Sequence, residues 1–78
     1  MVNLKETLTD IAKAIVDNPD EVRVTEVETE HEITFTLTVA PDDMGMVIGR
    51  HGKIAKAIRA VMKAAANNCG KHVTVEIK

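Results

Sequence analysis

The sequence of residues 47–53 is VIGRHGK, and it decides how the second half of the chain folds. In it, Gly49 and Gly52 flank Arg50 and His51, between two segments with helical character. Glycine adopts backbone torsions that other residues resist and lets a second backbone approach closely. The unpaired first amides of the helix that follows attract a phosphate. The segment therefore predicts a helix–helix junction suited to an anionic ligand, although many glycine pairs form ordinary tight turns.

The sequences on both sides of this junction favour helices. Residues 41–48, PDDMGMVI, predict a short helix opened by proline and two acids, which are favourable near the positive end of a helix. Residues 52–67 are rich in Ala and Lys, both good helix formers, and predict a long helix. The sequence NNCG at residues 67–70 predicts the end of that helix.

Further outward, the patterns predict three strands and a first helix. Apolar residues alternate with threonines over residues 33–39, as in a strand with one apolar face. Residues 21–28 predict an acidic edge strand joined to it by a hairpin at residues 29–32, and residues 72–78 predict a last strand. Residues 3–15 carry an apolar helical stripe behind a capping-box sequence, and the DNP sequence at residues 17–19 predicts the end of this helix.

The predicted order is α-β-β-α-α-β in a single domain, residues 1–78. The two helices before the last strand provide the long crossover that a parallel pair of strands requires, and such crossovers are right-handed. We therefore predict an α+β fold with three helices packed on one face of a three-stranded mixed sheet.

The net charge of −2 hides an uneven distribution along the chain. Residues 1–43 carry three basic and eleven acidic side chains, whereas residues 44–78 carry seven basic side chains and Glu76 as the single acid. Phosphate binding depends on local positive potential, so this asymmetry favours nucleic-acid contact. Two solvated faces of opposite charge are the alternative explanation.

Cellular location is indicated by the cysteine count and by hydropathy. Cys69 is the single cysteine, so no disulfide forms within the chain, which favours a reducing compartment. No apolar run approaches the ~18 residues of a membrane span, and residues 1–6 lack the layout of a signal peptide. We therefore expect a cytoplasmic protein without a membrane partner.

The sequence VIGRHGK resembles the KH-domain signature, in which V-I-G-x-x-G precedes a helix. The predicted element order is similar to the type II KH fold of bacteria. Three sequences resemble the small bacterial single-KH RNA-binding proteins of the KhpA (YlqC) group: DNPDEV at residues 17–22, VAPDDMG at 39–45 and VIGRHGKIAKAIR at 47–59. The resemblance covers essentially the whole chain.

This resemblance implies that the loop clamps about four nucleotides of single-stranded RNA against an apolar groove, with single-stranded DNA as the alternative ligand. Gly49 and Gly52 would form the backbone clamp, while Arg50 and His51 would face the phosphates. Because histidine changes its charge between about pH 5 and pH 8, only Arg50 is certain to be charged at neutral pH.

The resemblance also implies which residues form the groove. Ile48, Ala55 and Ile58 would line its floor, with Val39 or Pro41 on the opposite wall. Many KH helices carry a larger aliphatic residue at the position of Ala55, so a shallower groove with a weaker base preference is expected.

A row of basic residues continues from the loop along the long helix. Lys53 and Lys56 are expected to contact phosphates, while Arg59 and Lys63 are either further contacts or part of a solvated face. The chain has no Trp or Tyr and a single Phe, so it lacks an aromatic platform for stacking bases. We therefore expect a modest, salt-sensitive affinity.

The resemblance implies a non-catalytic role in post-transcriptional regulation or RNA chaperoning. It also implies a homodimer, or a heterodimer with a KH protein of the Jag group. A protein-interaction module is thus the alternative function, with the acidic first half or the AAA sequence at residues 64–66 as the contact surface.

The sequence gives little support for a catalytic function. Three histidines and Cys69 are candidate metal ligands, yet no ligand pairs have the spacing of a tetrahedral site. As a nucleophile, Cys69 has no base nearby in sequence other than His72, and no Walker or dinucleotide fingerprint is present. We therefore expect no enzyme activity, no cofactor or metal, and no small-molecule substrate.

Overall fold

The computed structural model describes residues 3–66 and 70–78. The elements follow the order α-β-β-α-α-β: α1 (Leu4–Ile15), β1 (Arg23–Glu28), β2 (Glu32–Thr38), α2 (Met44–Ile48), α3 (Lys53–Ala65) and β3 (His72–Ile77). One-turn 3-10 segments precede β1, α2 and α3, at Pro19–Glu21, Pro41–Asp43 and Arg50–Gly52. The predicted α+β class and element order are confirmed.

The sheet has the order β1-β2-β3, with β2 in the centre. Antiparallel pairing of β1 and β2 runs from Arg23 opposite Thr38 to Glu28 opposite Ile33. Parallel pairing of β2 and β3 begins with Glu32 opposite His72. The sheet is therefore mixed, as predicted, and β3 is an edge strand with one side free for α3.

The core lies between one face of the sheet and the helices. Phe35 and Leu37 of the central strand are fully buried, because alternate residues of β2 point to the helical layer. The fully buried helical residues that meet them are Leu8, Ala12, Val47 and Met62. Each helix thus anchors its apolar stripe in the same core, which confirms the arrangement of three helices on one face.

Local differences from the prediction occur where proline begins a 3-10 turn. Residues 21 and 22 precede β1 instead of belonging to it, because the Val22 amide donates to the Pro19 carbonyl at 3.2 Å. Pro41–Asp43 likewise forms a separate turn before α2. At the first helix, the Asn3 side chain accepts a hydrogen bond from the Glu6 amide at 3.1 Å, as a capping residue does.

The ends of the long helix also shift slightly. Gly52 is the N-cap of α3 and not its first residue, and regular α-helix ends at Ala65. The sequence at residues 67–69, predicted to break the helix, lies outside the described residues.

Candidate nucleic-acid interface

The chain reverses direction between α2 and α3 through a loop, residues 49–52, in which three of the four residues have a positive φ. Gly49 and Gly52 both have a φ of 74°, and His51 between them has a φ of 58°. Two amide–carbonyl hydrogen bonds brace the loop: Gly49 donates to Gly45 at 2.9 Å, and Gly52 donates to Gly49 at 3.2 Å. The Arg50 and His51 side chains are exposed at the tip, where they can reach a ligand.

The two loop glycines are needed for different reasons. A Cβ on Gly49 would lie 2.6 Å from Cγ1 and 2.9 Å from the backbone N of Ile54, so the first turn of α3 leaves no room for a side chain. A Cβ on Gly52 would meet no atom within 4 Å. Gly49 therefore permits close packing inside the protein, whereas Gly52 permits the conformation and leaves the backbone open to a ligand.

Positive charge follows this loop along α3. Lys53, Lys56, Arg59 and Lys63 are all exposed. Since Gly52 is the N-cap, the first amides of this 13-residue helix point toward the loop, and their partial positive charge adds to that of the lysines. The loop and the start of α3 together form a site suited to phosphate.

An open cleft of about 420 Å³ lies between α3 and the edge strand β3. Its basic residues come from α3, and its floor is formed by the first residues of β3. The cleft is lined by Lys56, Arg59, Ala60, Lys63, His72, Val73, Thr74 and Val75. Lys56, Arg59 and Lys63 thus line a groove beside the sheet, whereas Lys53 lies outside it.

Arg59 is held in this cleft by the sheet itself. Its Nε donates a hydrogen bond to the Val75 carbonyl at 3.2 Å, on the side of β3 that has no neighbouring strand. No other described residue accepts a hydrogen bond from this guanidinium. Its remaining N–H groups are therefore available to an anion or to a base edge.

Two other basic residues of the second half are engaged elsewhere. Lys71 forms an ion pair with Glu28, and its Nζ also donates to the Thr29 carbonyl at 2.9 Å. Lys78 lies 3.4 Å from the Glu76 carboxylate. The surplus of positive charge at the interface is therefore smaller than the count along the sequence indicates.

The structure separates the residues predicted to line the groove by their exposure. Ile48 is 39% exposed beside the loop, whereas Ala55 is 5% exposed and Ile58 is 3% exposed. On the predicted opposite wall, Val39 is buried and Pro41 is exposed. The contribution of these residues to a groove floor stays a prediction, and Ile48 offers the larger surface for a base.

Sequence reasoning missed the contribution of β3. His72 and Thr74 line the cleft, and neither belonged to the predicted site. The predicted topology could have indicated this contribution. The central strand already pairs with the first strand on one side, so the last strand pairs on its other side and forms an edge of the sheet beside the long helix. Which face of α3 lies toward this edge depends on tertiary packing, which the sequence pattern does not show.

A second depression, which is apolar, lies between α1 and α3. It has a volume of about 350 Å³ and is lined by Ile11, Ile15, Lys53, Ile54, Ala57, Ile58 and Val61. Ile54 is 37% exposed and Val61 is 49% exposed. Ile54 therefore takes part in two features, since it also contacts Gly49 in the loop.

Within residues 3–66 and 70–78, no group of three or more His, Cys, Asp or Glu side chains is placed to hold a metal ion. Cys69, named above as a candidate ligand and nucleophile, lies outside the described residues. None of the helices in the described part of the chain is long and apolar enough to cross a membrane.

Known proteins resemble this chain over nearly all of its length. A family model described as "KhpA/KhpB, KH domain" matches residues 5–77. A protein of Clostridium acetobutylicum named RNA-binding protein KhpA is 58% identical over 74 residues, 95% of this chain and 99% of the relative. A protein of the same name from Aquifex aeolicus is 44% identical over 77 residues, 99% of this chain and 98% of the relative.

Among solved structures, similar folds occur in Era. A crystal structure of an Aquifex aeolicus Era variant bound to GDP and AlF4− matches with a TM-score of 0.70 and 17% identity, over 95% of this chain and 29% of that chain. Era bound to MgGDPNP and nucleotides 1506–1542 of 16S ribosomal RNA matches with a TM-score of 0.71 and 17% identity, over 95% and 28%. This chain spans less than a third of Era, and the likeness concerns the fold.

The surroundings of the two glycines predict unequal effects of alanine. We expect Gly49→Ala to lower the free energy of unfolding more than Gly52→Ala, for two reasons. A methyl group at Gly49 collides with Ile54, and the φ of 74° and ψ of 174° at Gly49 are essentially restricted to glycine. Gly52 has the left-handed conformation, in which the cost of a side chain is about 1–2 kcal/mol. Urea denaturation measures the two losses, with Gly52→Asn as a control because asparagine tolerates this conformation. Equal losses for the two alanine variants would contradict the close packing.

Proposed function

The chain belongs to the KhpA/KhpB family of KH domains, and we propose that it binds single-stranded RNA across the loop of residues 49–52 and the α3–β3 cleft. The observation that carries this proposal is the continuity of the two features. The exposed loop opens directly onto α3, whose basic residues Lys56, Arg59 and Lys63 line the cleft. The relatives named RNA-binding protein KhpA support RNA as the ligand.

In this proposal, the phosphates of about four nucleotides lie against the loop. The open space beside Gly52 lets the sugar-phosphate backbone approach the protein backbone. Arg50 supplies charge at the tip, and Lys53 supplies it at the start of α3. These contacts recognise a backbone without reading its sequence, as phosphate contacts do in general.

The bases would then turn toward the cleft. Stacking on Phe, Tyr or Trp is unavailable, because the chain has no Tyr or Trp and its single Phe, Phe35, is fully buried. Aliphatic contact with Ile48 and hydrogen bonds from Arg59 and the free edge of β3 take its place. Bases that are already paired in a duplex cannot present their edges in this way, which favours single strands.

We propose a non-catalytic role for this interaction, in post-transcriptional regulation or RNA chaperoning. Single-stranded DNA of a sequence that contains no uracil has the same phosphates and bases as the RNA and lacks only the 2′-hydroxyl groups. Comparing RNA and DNA oligonucleotides of one sequence therefore measures whether the cleft contacts the sugar hydroxyls.

A first prediction concerns the loop tip. Replacing Arg50 and His51 together with Asp should abolish binding of a short single-stranded RNA in fluorescence anisotropy, because negative charge then faces the phosphates. Circular dichroism should stay unchanged. The matched control is Lys5→Asp on α1, which makes the same change in charge as Arg50→Asp and should leave the affinity within about twofold, since salt screens distant surface charges. Unchanged affinity in the double variant would contradict the proposed function.

A second prediction concerns the cleft. Neutralising one phosphate contact lowers the slope of log affinity against log salt by about 0.7 for single strands. We expect this decrease for Lys63→Gln, since Lys63 lines the cleft, and no decrease for Lys78→Gln, since Lys78 is paired with Glu76. If Lys63→Gln and the unmodified protein have equal slopes, the RNA does not contact the end of the cleft that Lys63 lines.

The apolar depression between α1 and α3 favours a second function, pairing with another copy of this chain. Ile54 and Val61 are seven residues apart, about two helical turns, and lie on one face of α3. An antiparallel partner helix would place Val61 of one copy against Ile54 of the other, as a two-fold interface requires. This pairing leaves the α3–β3 cleft open, because the cleft lies on the other side of α3, although it brings the partner close to Lys53, which lines the depression.

Light scattering at high micromolar concentration tests the pairing. Val61→Gln should shift the protein toward the monomer, because it places an amide in an apolar contact. Ala64→Gln makes a similar change within the AAA sequence named above as an alternative contact, and should leave the dimer intact. A strict monomer in the unmodified chain would rule out self-pairing and leave a second KH protein, as in the Jag group, as the occupant.

A further inference from the structure

Asp43 is the one buried charged side chain among the described residues, with 1% exposure. A buried carboxylate is costly unless hydrogen bonds replace its hydration. Asn18, 25 residues earlier in the chain, supplies two: its backbone amide and its Nδ2 both donate to Asp43 Oδ2, at 3.0 Å and 3.1 Å. We name this contact the Asp43–Asn18 clamp.

Both residues of the clamp forgo the local bonds that Asp and Asn usually make. Such side chains commonly cap the helix or turn that begins at their own position. Asp43 is the N-cap of α2 and Asn18 is the N-cap of the Pro19–Glu21 turn, yet neither side chain bonds to its own segment. The side chains instead join the connection after α1 to the start of α2.

The clamp is important for α2 because Val47 and the partly buried Met44 are the only side chains of this helix that pack against the core. It has five residues, too few to be stable by itself, and Val47 is its one buried side chain. Its far end leads directly into Gly49, whose amide bonds to Gly45 within the helix. A rotation of α2 about Val47 would therefore move Ile48 and Gly49 together.

From this geometry we infer that Asp43 and Asn18 are positioning residues for RNA binding, which hold α2 so that the loop of residues 49–52 stays aligned with α3. This inference rests on the proposed function. The clamp acts at one end of α2, and the contact of Gly49 with Ile54 acts at the other. Both ends of the short helix are thus fixed before the ligand arrives.

Two single substitutions and their combination test the inference. Asn18→Asp removes the Nδ2 donor and sets a second carboxylate beside Asp43. Asp43→Asn replaces a charged acceptor with a neutral one, and its new Nδ2 group is paired only when the Asn18 amide turns its oxygen toward position 43, so the contact weakens. The double variant exchanges the two side chains, so an amide at position 43 donates to a carboxylate at position 18. It restores the hydrogen-bonded pair at the original net charge.

We expect both single variants to weaken RNA binding, because α2 is then held less firmly in the orientation that binds. For Asn18→Asp the loss should be about tenfold, since the clamp loses a hydrogen bond to a charged group and gains a contact between like charges. The double variant should recover to within about threefold of the unmodified protein. The single variants change the net charge in opposite directions. General repulsion of RNA would therefore weaken one and strengthen the other, so losses in both point to geometry.

Amide hydrogen exchange separates positioning from general destabilisation. Exchange of the Gly49 amide should accelerate in the single variants, while the Lys78 amide, which bonds to the Leu37 carbonyl in the sheet, should keep its rate. Equal acceleration at both amides would show that the clamp stabilises the whole fold and does not position α2, which would overturn the inference. Tight RNA binding by both single variants would also overturn it.

The Arg50 and His51 double variant distinguishes failure of this inference from failure of the proposed function. If that variant loses RNA binding while the clamp variants keep it, the inference is wrong and the proposed function stands. If RNA binding survives in all variants, the proposed function is wrong. The exchange rate of the Gly49 amide then still decides whether the clamp holds α2.

Discussion

The parallel pairing of β2 with β3 is the constraint on which the rest of the structure depends. Parallel neighbours cannot be joined by a hairpin, so the chain must cross the sheet through a long connection. That crossover contains α2, the loop and α3, and the loop lies where the crossover changes direction. The same pairing leaves β3 at an edge beside α3. One topological requirement therefore creates both the loop and the cleft.

The loop is arranged before any ligand binds, because contacts within the protein hold it in uncommon backbone conformations. His51 has a φ of 58°, which is uncommon for a residue with a side chain, although histidine is enriched there. The hydrogen bonds of the Gly49 and Gly52 amides and the packing of Gly49 against Ile54 hold the flanking residues, and we infer that the Asp43–Asn18 clamp holds α2 before them. A ligand that meets arranged amides loses less free energy in ordering them. In the proposed binding mode, this lower cost of ordering the loop offsets part of the free energy that stacking on Phe, Tyr or Trp would supply.

Much of the fold could be predicted from local patterns, whereas the interface could be predicted only in part. The alternation over residues 33–39 and the glycine spacing of the loop are properties of neighbours in sequence, and the structure confirms the strand and the turn they indicate. The burial of Ala55, the pairing of Lys71 with Glu28 and the orientation of Asp43 depend on residues 25 or more positions away or on the packing of whole helices. No local pattern carries that information.

The charge distribution shows why the net charge is a poor guide to the ligand. The acidic strand β1 and the edge strand β3 are separated by two strand spacings, about 10 Å. This distance is comparable to the ~8 Å over which physiological salt screens exposed charges. Within β1, Glu28 is paired with Lys71 and Arg23 offsets Glu26, so this strand reduces the potential in the cleft only weakly. In the proposed binding mode, the other exposed acids of residues 1–43 repel a nucleic acid at lower salt, while the cations of the loop and α3 attract it.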